Sequence, residues 1–183
     1  MLEQVLFAGF GGQGMLLAGQ FLAEAGRQEG RYVSWLPSYG PEMRGGTANC
    51  SVCVSDKEIS SPVITAATCV MAMNRPSLEK FESFVRPGGL LIINSSLVDI
   101  KATRTDIDVV YVKASEIAEE IGNAKGANLV ITGAYVEKTK AVKPESIIQA
   151  MIDKLGERKA RFVESNKKAL YAGIESAREG QDQ

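Results

Sequence analysis

Apolar residues follow two rhythms along this chain. Val5-Leu6-Phe7-Ala8 form an unbroken apolar run, and Gly9-Phe10-Gly11-Gly12-Gln13-Gly14 comes directly after it. From Gly14 to about Gly30 the spacing turns helical, with Gly14, Ala18 and Ala25 near one face and Leu17 and Phe21 beside them. The pattern predicts a strand, a glycine turn and a helix whose small residues let it lie close to a sheet. Tyr32 to Leu36 reads as a second strand ending at Pro37, followed by a glycine- and proline-punctuated loop over Ser38 to Gly46. In 47–55, Ala48, Cys50, Val52 and Val54 alternate with polar or small residues, the period of a half-buried strand.

Thr68 to Met73 and Leu90 to Ile93 are fuller apolar runs that read as central parallel strands. Between them the sequence predicts a helix over Pro76 to Val85 and a turn at Pro87-Gly88-Gly89, and Val109 to Val112 supplies one more strand. The last third predicts helices over Ser115 to Ile121, Asn128 to Lys138 with Asn128 as N-cap, a segment opened by Pro144, and Glu157 to Ala177. The helix after Asn128 is apolar around most of its circumference, which predicts burial. Ile147, Ile148, Met151, Ile152 and Leu155 form one stripe on the next. Together these elements predict an α/β, Rossmann-like three-layer αβα fold with a mainly parallel sheet. An antiparallel or edge strand is expected after the glycine loop, and the C-terminal third is helical. One domain is expected over 1–178, with 179–183 a disordered tail.

Composition narrows the function classes. The 183 residues are 45% apolar and 23% charged with a net charge of −1, which offers no basic excess for nucleic acid. The apolar start is too short for a membrane span and lacks a signal-peptide pattern, so a cytoplasmic location is expected. Three cysteines do not suggest a disulfide framework, and the absence of histidine removes the commonest acid/base group and metal ligand.

The candidate chemistry lies in two segments. A strand, a glycine turn and a helix N-terminus present backbone N–H groups to an anion, and the run also fits the G-x-G-x-x-G spacing of a dinucleotide fold or of any compact strand–turn–helix unit. A dinucleotide fold needs an acidic residue about twenty positions later. That stretch is Ser34-Trp35-Leu36-Pro37-Ser38-Tyr39, so dinucleotide binding is disfavoured while a phosphate at Gly11 to Gly14 stays open. In the second segment Glu42 and Arg44 are held among Gly40, Pro41, Gly45 and Gly46. Arg44 can clamp a carboxylate or phosphate, or Glu42 and Arg44 can pair with each other on a solvated loop. Ser38 and Tyr39 lack a histidine partner for a hydrolytic triad. Cys50 and Cys53 look like a metal motif, but their odd separation on a strand sends the sulfurs to opposite faces.

The two segments together, GFGGQGMLLAGQFLAEAG and PSYGPEMRGGTANCSVCVSD, resemble the gamma subunit of 2-oxoacid:ferredoxin oxidoreductases of the 2-oxoglutarate, 2-oxoisovalerate or pyruvate type. Ile59-Ser60-Ser61-Pro62, Asn128 and Asn166 extend the resemblance over nearly the whole chain. It implies a non-catalytic subunit of a complex that oxidatively decarboxylates a 2-oxoacid to an acyl-coenzyme A and reduces ferredoxin. Thiamine diphosphate, magnesium and iron–sulfur clusters would be held mainly by alpha, beta and ferredoxin-like delta partners, with none bound tightly by this chain and no metal ligands here. By the same resemblance Gly9, Gly11, Gly12, Gln13, Gly14 and Arg44 would lie near the active-site entrance and position coenzyme A or the partner subunit's catalytic face. Tyr39, Gly40, Pro41, Glu42, Arg44, Gly45 and Gly46 would face a partner subunit. The alternative is a free-standing Rossmann-like nucleotide-binding protein.

Overall fold

The computed structural model describes residues 1–38 and 47–180. In chain order the elements are β1 (Leu2–Phe10), α1 (Met15–Gln28), β2 (Tyr32–Ser38), β3 (Thr47–Ser55), β4 (Ala67–Ala72), α2 (Arg75–Phe81), β5 (Val85–Asn94) and β6 (Asp108–Val112). They are followed by α3 (Ala114–Glu120), α4 (Ala127–Thr139), α5 (Pro144–Leu155) and α6 (Ala160–Glu179). The sheet order is β2-β3-β1-β4-β5-β6. β3 runs antiparallel to both β1 and β2, and β1, β4, β5 and β6 are mutually parallel, so β3 is the reversed strand of an otherwise parallel sheet.

Side-chain alternation divides the core in two. Val5 and Phe7 of β1, with Cys50, Val52 and Val54 of β3, pack beneath α1, α3, α4, α5 and α6. Leu6, Ala8 and Cys53 face the other side, where Leu78 and Phe81 of α2 and the segment around Ile64 and Val98 cover them. The mainly parallel α/β architecture with a helical last third is as expected, but the two helical layers are unequal, because among the described residues α2 is the one α-helix packed on the second face.

Several local expectations are corrected by packing. β2 runs through Pro37 to Ser38, because β2 is an edge strand and its missing N–H costs no ladder bond on the open side. Pro87-Gly88-Gly89 does not end a strand. β5 passes through it as a bulge, with the register shifting between Ala67 and Cys69 and Gly88 at φ 72°. The helix expected to reach Val85 stops at Phe81, where a short 3₁₀ turn over Glu82–Phe84 leads into β5. Ile152 is 45% exposed and falls off the buried stripe of α5 that Ile147 and Met151 occupy. α6 extends to Glu179.

Small residues set how closely the helices approach. A methyl group at Gly26 would lie 2.9 Å from Val33 Cγ1 and 3.0 Å from Val54 Cγ1, so this face of α1 rests directly on β2 and β3. α4 is buried from Asn128 to Val136 between the sheet and α6. Gly133 faces the Leu170 carbonyl and Gly173 faces the Val130 carbonyl, so α4 and α6 cross backbone to backbone. Within this layer Tyr135 is fully buried and its hydroxyl donates to Glu3 Oε2 at 3.3 Å. Burial, with Glu3 alongside, pushes that phenol well above its ordinary value, so it stays a neutral donor.

Candidate functional site

The glycine turn leaves the carboxyl end of β1. From β1 the chain departs through α1 on the thickly covered face toward β2. From the adjacent β4 it departs through α2 on the opposite face toward β5. The ends of β1 and β4 therefore form the topological switch point, the crevice in which open α/β sheets receive ligands.

The two ends of the turn are braced from different directions. Gly9 has no room for a side chain, since a Cβ would lie 2.6 Å from Gln13 Oε1 and 3.1 Å from Met73 Cβ. Gln13 Oε1 accepts from the Phe10 N–H at 2.6 Å and from Asn74 Nδ2 at 3.1 Å, while Asn74 Oδ1 caps α2 through the Ser77 N–H at 2.9 Å. Gln13 thus acts as an internal brace between the two strands of the switch point. Gly12 and Gly14 sit at φ 89° and 74°, the left-handed region open to glycine, and Gly11 and Gly12 are exposed. Behind them α1 starts with no side-chain cap and no acid in its first turn. Its N-terminal dipole is left to attract an anion.

Asn128 does not cap α4, which begins at Ala127 with Gly126 in the capping position. Instead its Nδ2 donates to the Gly14 carbonyl at 3.0 Å and its Oδ1 accepts from the Leu129 N–H at 3.0 Å. Asn128 is 6% exposed, and a Cβ on Gly14 would lie 2.6 Å from its Nδ2. This tether was invisible to periodicity because its partner is 114 residues away. Its signal was an asparagine at the head of an otherwise apolar helix.

A cavity of about 590 Å³ opens beside the turn, between α1, the connection from α3 to α4 and the start of α6. Gly12, Gly14, Leu17 and Asn128 form one wall, and Lys125, Lys159, Phe162 and Asn166 stand among the residues of the rest. Its lining contains lysine and asparagine side chains and, among the described residues, no carboxylate. Such a lining suits an anionic ligand with an apolar body. Two positions quoted for the family resemblance, Asn128 and Asn166, therefore meet at one cavity.

Tyr39, Gly40, Pro41, Glu42, Arg44, Gly45 and Gly46 lie outside the described residues. The strands flanking them are informative all the same. Because β3 is reversed, Ser38 pairs with Asn49 and Phe10 with Thr47, so both ends of that segment stand at the edge of the sheet that carries the glycine turn.

The cysteines show no ligand geometry. Cys50 belongs to the core beneath α1 and Cys53 to the core on the other face, as the odd spacing predicted, and Cys69 is fully buried. Burial pushes the Cys50 thiol up to about 12, and Sγ donates to the Met15 carbonyl at 3.5 Å. Among the described residues no three His, Cys, Asp or Glu side chains gather as a metal site. The residues present therefore do not fit an iron–sulfur cluster, which needs several convergent thiolates.

The Pyruvate ferredoxin/flavodoxin oxidoreductase family profile matches residues 4–176. The chain belongs to this family. It is 36% identical over 175 residues to the ketoisovalerate oxidoreductase subunit VorA of Methanothermobacter marburgensis, covering 96% of this chain and 36% of that protein. The chain thus spans about a third of the length of that relative. It is also 30% identical over 182 residues to the 2-oxoglutarate synthase subunit KorC of Methanocaldococcus jannaschii, covering 98% of this chain and 96% of KorC. Among solved structures, the gamma subunit of the keto/oxoacid ferredoxin oxidoreductase from Geobacter sulfurreducens superposes with a TM-score of 0.82 at 30% identity, covering 96% of this chain and 98% of that one.

Family membership disfavours the free-standing nucleotide binder, and the sheet order gives an independent reason. In a dinucleotide fold the strand bearing the ribose acid lies beside the first strand. Here β3 intervenes and moves the end of β2 a further strand spacing, about 4.8 Å, from the turn. Among the described residues, no helix is long and apolar enough to cross a membrane.

Proposed function

We propose that this chain is the gamma-type subunit of a cytoplasmic 2-oxoacid:ferredoxin oxidoreductase complex. Its alpha, beta and ferredoxin-like delta partners convert a 2-oxoacid and coenzyme A to an acyl-coenzyme A and carbon dioxide. In that reaction the carboxylate leaves as carbon dioxide and the acyl carbon bonds to the thiol sulfur. The thiol proton is released, and the two electrons left over reduce external ferredoxin; iron–sulfur clusters held by the partners would supply the electron-carrying chemistry. Thiamine diphosphate, with magnesium, supplies the carbanion-stabilising chemistry when bound to the partners.

The contribution of this chain is to bind and orient. The observation that carries the reading is the braced glycine turn, at the switch point, opening onto a cavity without carboxylates. Gly9 allows the turn its close fold, and Gly11, Gly12 and Gly14 leave the end of α1 open to the diphosphate of coenzyme A. Gln13 and Asn128 hold that end in place. Leu17 and Leu129 offer apolar surface to the pantetheine arm. Arg44 adds a cation for the same ligand, and Tyr39, Gly40, Pro41, Glu42, Gly45 and Gly46 serve a partner subunit in this reading.

Co-purification at native stoichiometry, followed by steady-state kinetics of the recovered complex, tests this. Recovery of a thiamine-binding pair and a small ferredoxin-like subunit is expected. Asn128→Ala should raise KM for coenzyme A by roughly five- to tenfold, the worth of about one hydrogen bond, and Arg44→Ala should weaken assembly or the same KM. A lone chain retaining a bound nucleotide, or a complex in which both variants leave assembly and coenzyme A dependence unchanged, would refute the reading.

A further inference from the structure

We propose that β2 is a pairing edge for a second copy of this chain, joining two six-stranded sheets across a two-fold axis that passes beside Ser34. The pairing goes beyond the functional reading above and does not depend on which cofactor the glycine turn serves.

The two edges of the sheet are built differently. β6 opens on the charged Asp108, and its exposed Tyr111 is engaged by the segment before it. There the Ala102 N–H donates to the Tyr111 hydroxyl at 3.0 Å, and the Lys101 ammonium lies 4.1 Å from the ring centroid. β2 carries no charged residue, and among the described residues it is paired on one side only. Edge strands are ordinarily kept from pairing by charge, brevity or cover. Here Tyr32 and Leu36 stand 53% and 41% exposed on the thinly covered face, the side that Cys53 also faces. On the α1 face a cavity of about 380 Å³ lies along the same edge, with Phe21, Ala23, Val33 and Trp35 in its lining.

The register follows from the main chain. The Ala8 carbonyl accepts from the Met73 N–H at 2.9 Å, on the β4 side of β1. Main-chain groups alternate sides along a strand, so Phe7 and Cys50 face each other, Asn49 and Ser51 face β2, and Val33, Trp35 and Pro37 turn theirs outward from the sheet. With the axis at Ser34, an antiparallel copy sets Val33 opposite Trp35, and each exchanges both its N–H and its C=O. An axis at Trp35 would set the Val33 carbonyl against Pro37, which has no N–H. An axis at Val33 would set the Trp35 carbonyl against Arg31, whose N–H already donates to the Gly26 carbonyl at 3.0 Å. Ser34 is therefore the centre that leaves none of the Val33 and Trp35 main-chain groups unmet.

The side chains agree with this register. Ser34 Oγ is buried without a hydrogen-bond partner among the described residues, and on the axis it meets the same hydroxyl of the second copy across a closely spaced, non-hydrogen-bonded pair. Tyr32 comes opposite Leu36 of the second copy at both ends, so each exposed ring and exposed leucine cover one another. Val33 faces Trp35 of the second copy on the α1 side, where the two cavities adjoin. A strand of another sequence could take the main-chain bonds, but this chain's own strand supplies the second hydroxyl and both apolar covers in a single register.

Size-exclusion chromatography with light scattering on the full chain tests the pairing. The wild type should run at twice its 19.7 kDa. Leu36→Lys and Tyr32→Glu, both at exposed positions, should each keep the wild-type circular dichroism spectrum and shift dimerisation to at least about tenfold higher concentration, the worth of losing the cross-strand pair at both ends. An equimolar mixture of the two variants should regain the dimer. At one end the introduced carboxylate faces the introduced ammonium, and at the other the native pair of Tyr32 with Leu36 is intact. That rescue belongs to a self-complementary contact in this register. A wild type that is monomeric at all soluble concentrations, a dimer indifferent to both substitutions, or a mixture that stays monomeric overturns the inference. If the wild type alone is monomeric while Leu36→Lys lowers recovery of a partner subunit with the complex, the edge belongs to that subunit, and the inference fails while the functional reading stands.

Discussion

Gly173→Ala probes the tightest crossing in the molecule. A Cβ at this position would lie 2.7 Å from the Val130 carbonyl carbon and 2.9 Å from its Cα, with the carbonyl oxygen nearer still. Ordinary contact begins at 3.4 Å, so α6 has to retreat from α4 by at least 0.7 Å. α4 cannot yield, because its other side is packed on the sheet. The displacement loosens Leu170, Ile174 and Ala177, which are all buried in that layer. Over-packing of a core costs about 1–3 kcal/mol, and a clash against backbone belongs at the upper end. Replacing glycine by alanine in a helix returns about 1 kcal/mol. The net destabilisation is about 2 kcal/mol, or about 4–8 °C in Tm for a chain of this size. Thermal unfolding followed by circular dichroism reads this directly. Gly180→Ala is the control, since its nearest atom is the Ser176 carbonyl oxygen at 3.6 Å, and it should change stability by less than about 0.5 kcal/mol. An unchanged or higher Tm for Gly173→Ala would mean that helix propensity governs this position and the close crossing does not.

Two further expectations concern charge and thiols. Arg178 at 3.1 Å and Lys140 at 2.7 Å hold the Glu137 carboxyl below its ordinary value of 4.5. The contribution of Glu137 to stability is therefore complete above that value and is lost as pH falls through the depressed native value. Glu137→Gln should lower Tm at pH 7 and lessen the fall in Tm below pH 4.5; an unchanged pH profile would refute the assignment. The three cysteines are buried, so the native chain should show no rapid reaction with a thiol reagent at pH 8 and should react at all three after unfolding. A fast native thiol would show that the core around Cys50 opens.

The strand–turn–helix opening, the alternation of β3 and the burial of α4 were legible because each rests on side-chain periodicity within one element. What escaped depends on neighbours. Pro37 stays in a strand because β2 lies at an edge, and Gly88 becomes a bulge because β5 pairs with β4 on both sides of it through a register shift. The placement of Gly26, Gly133 and Gly173 at backbone contacts needs the docked partner, since a glycine carries no hydrophobic signal of its own. In the candidate site, the glycines could be read directly, but the bracing could not. Asn74 and Asn128 look like ordinary polar residues until the ends of β1 and β4 and the head of α4 come together.

The bond from Asn128 to Gly14 also sets an order of events in folding. The opening segment can form its strand, turn and helix locally, but the Gly14 carbonyl gains its second donor only when α4 docks, 114 residues later in the chain. Long-range contacts of this kind close late, after the loop entropy between their ends has been overcome. During folding the strand–turn–helix unit around Gly14 therefore waits for the later helices before the turn takes final shape. A chain without α4 would hold an unfinished turn, and the order of the Gly14 backbone would report that the later helices had docked.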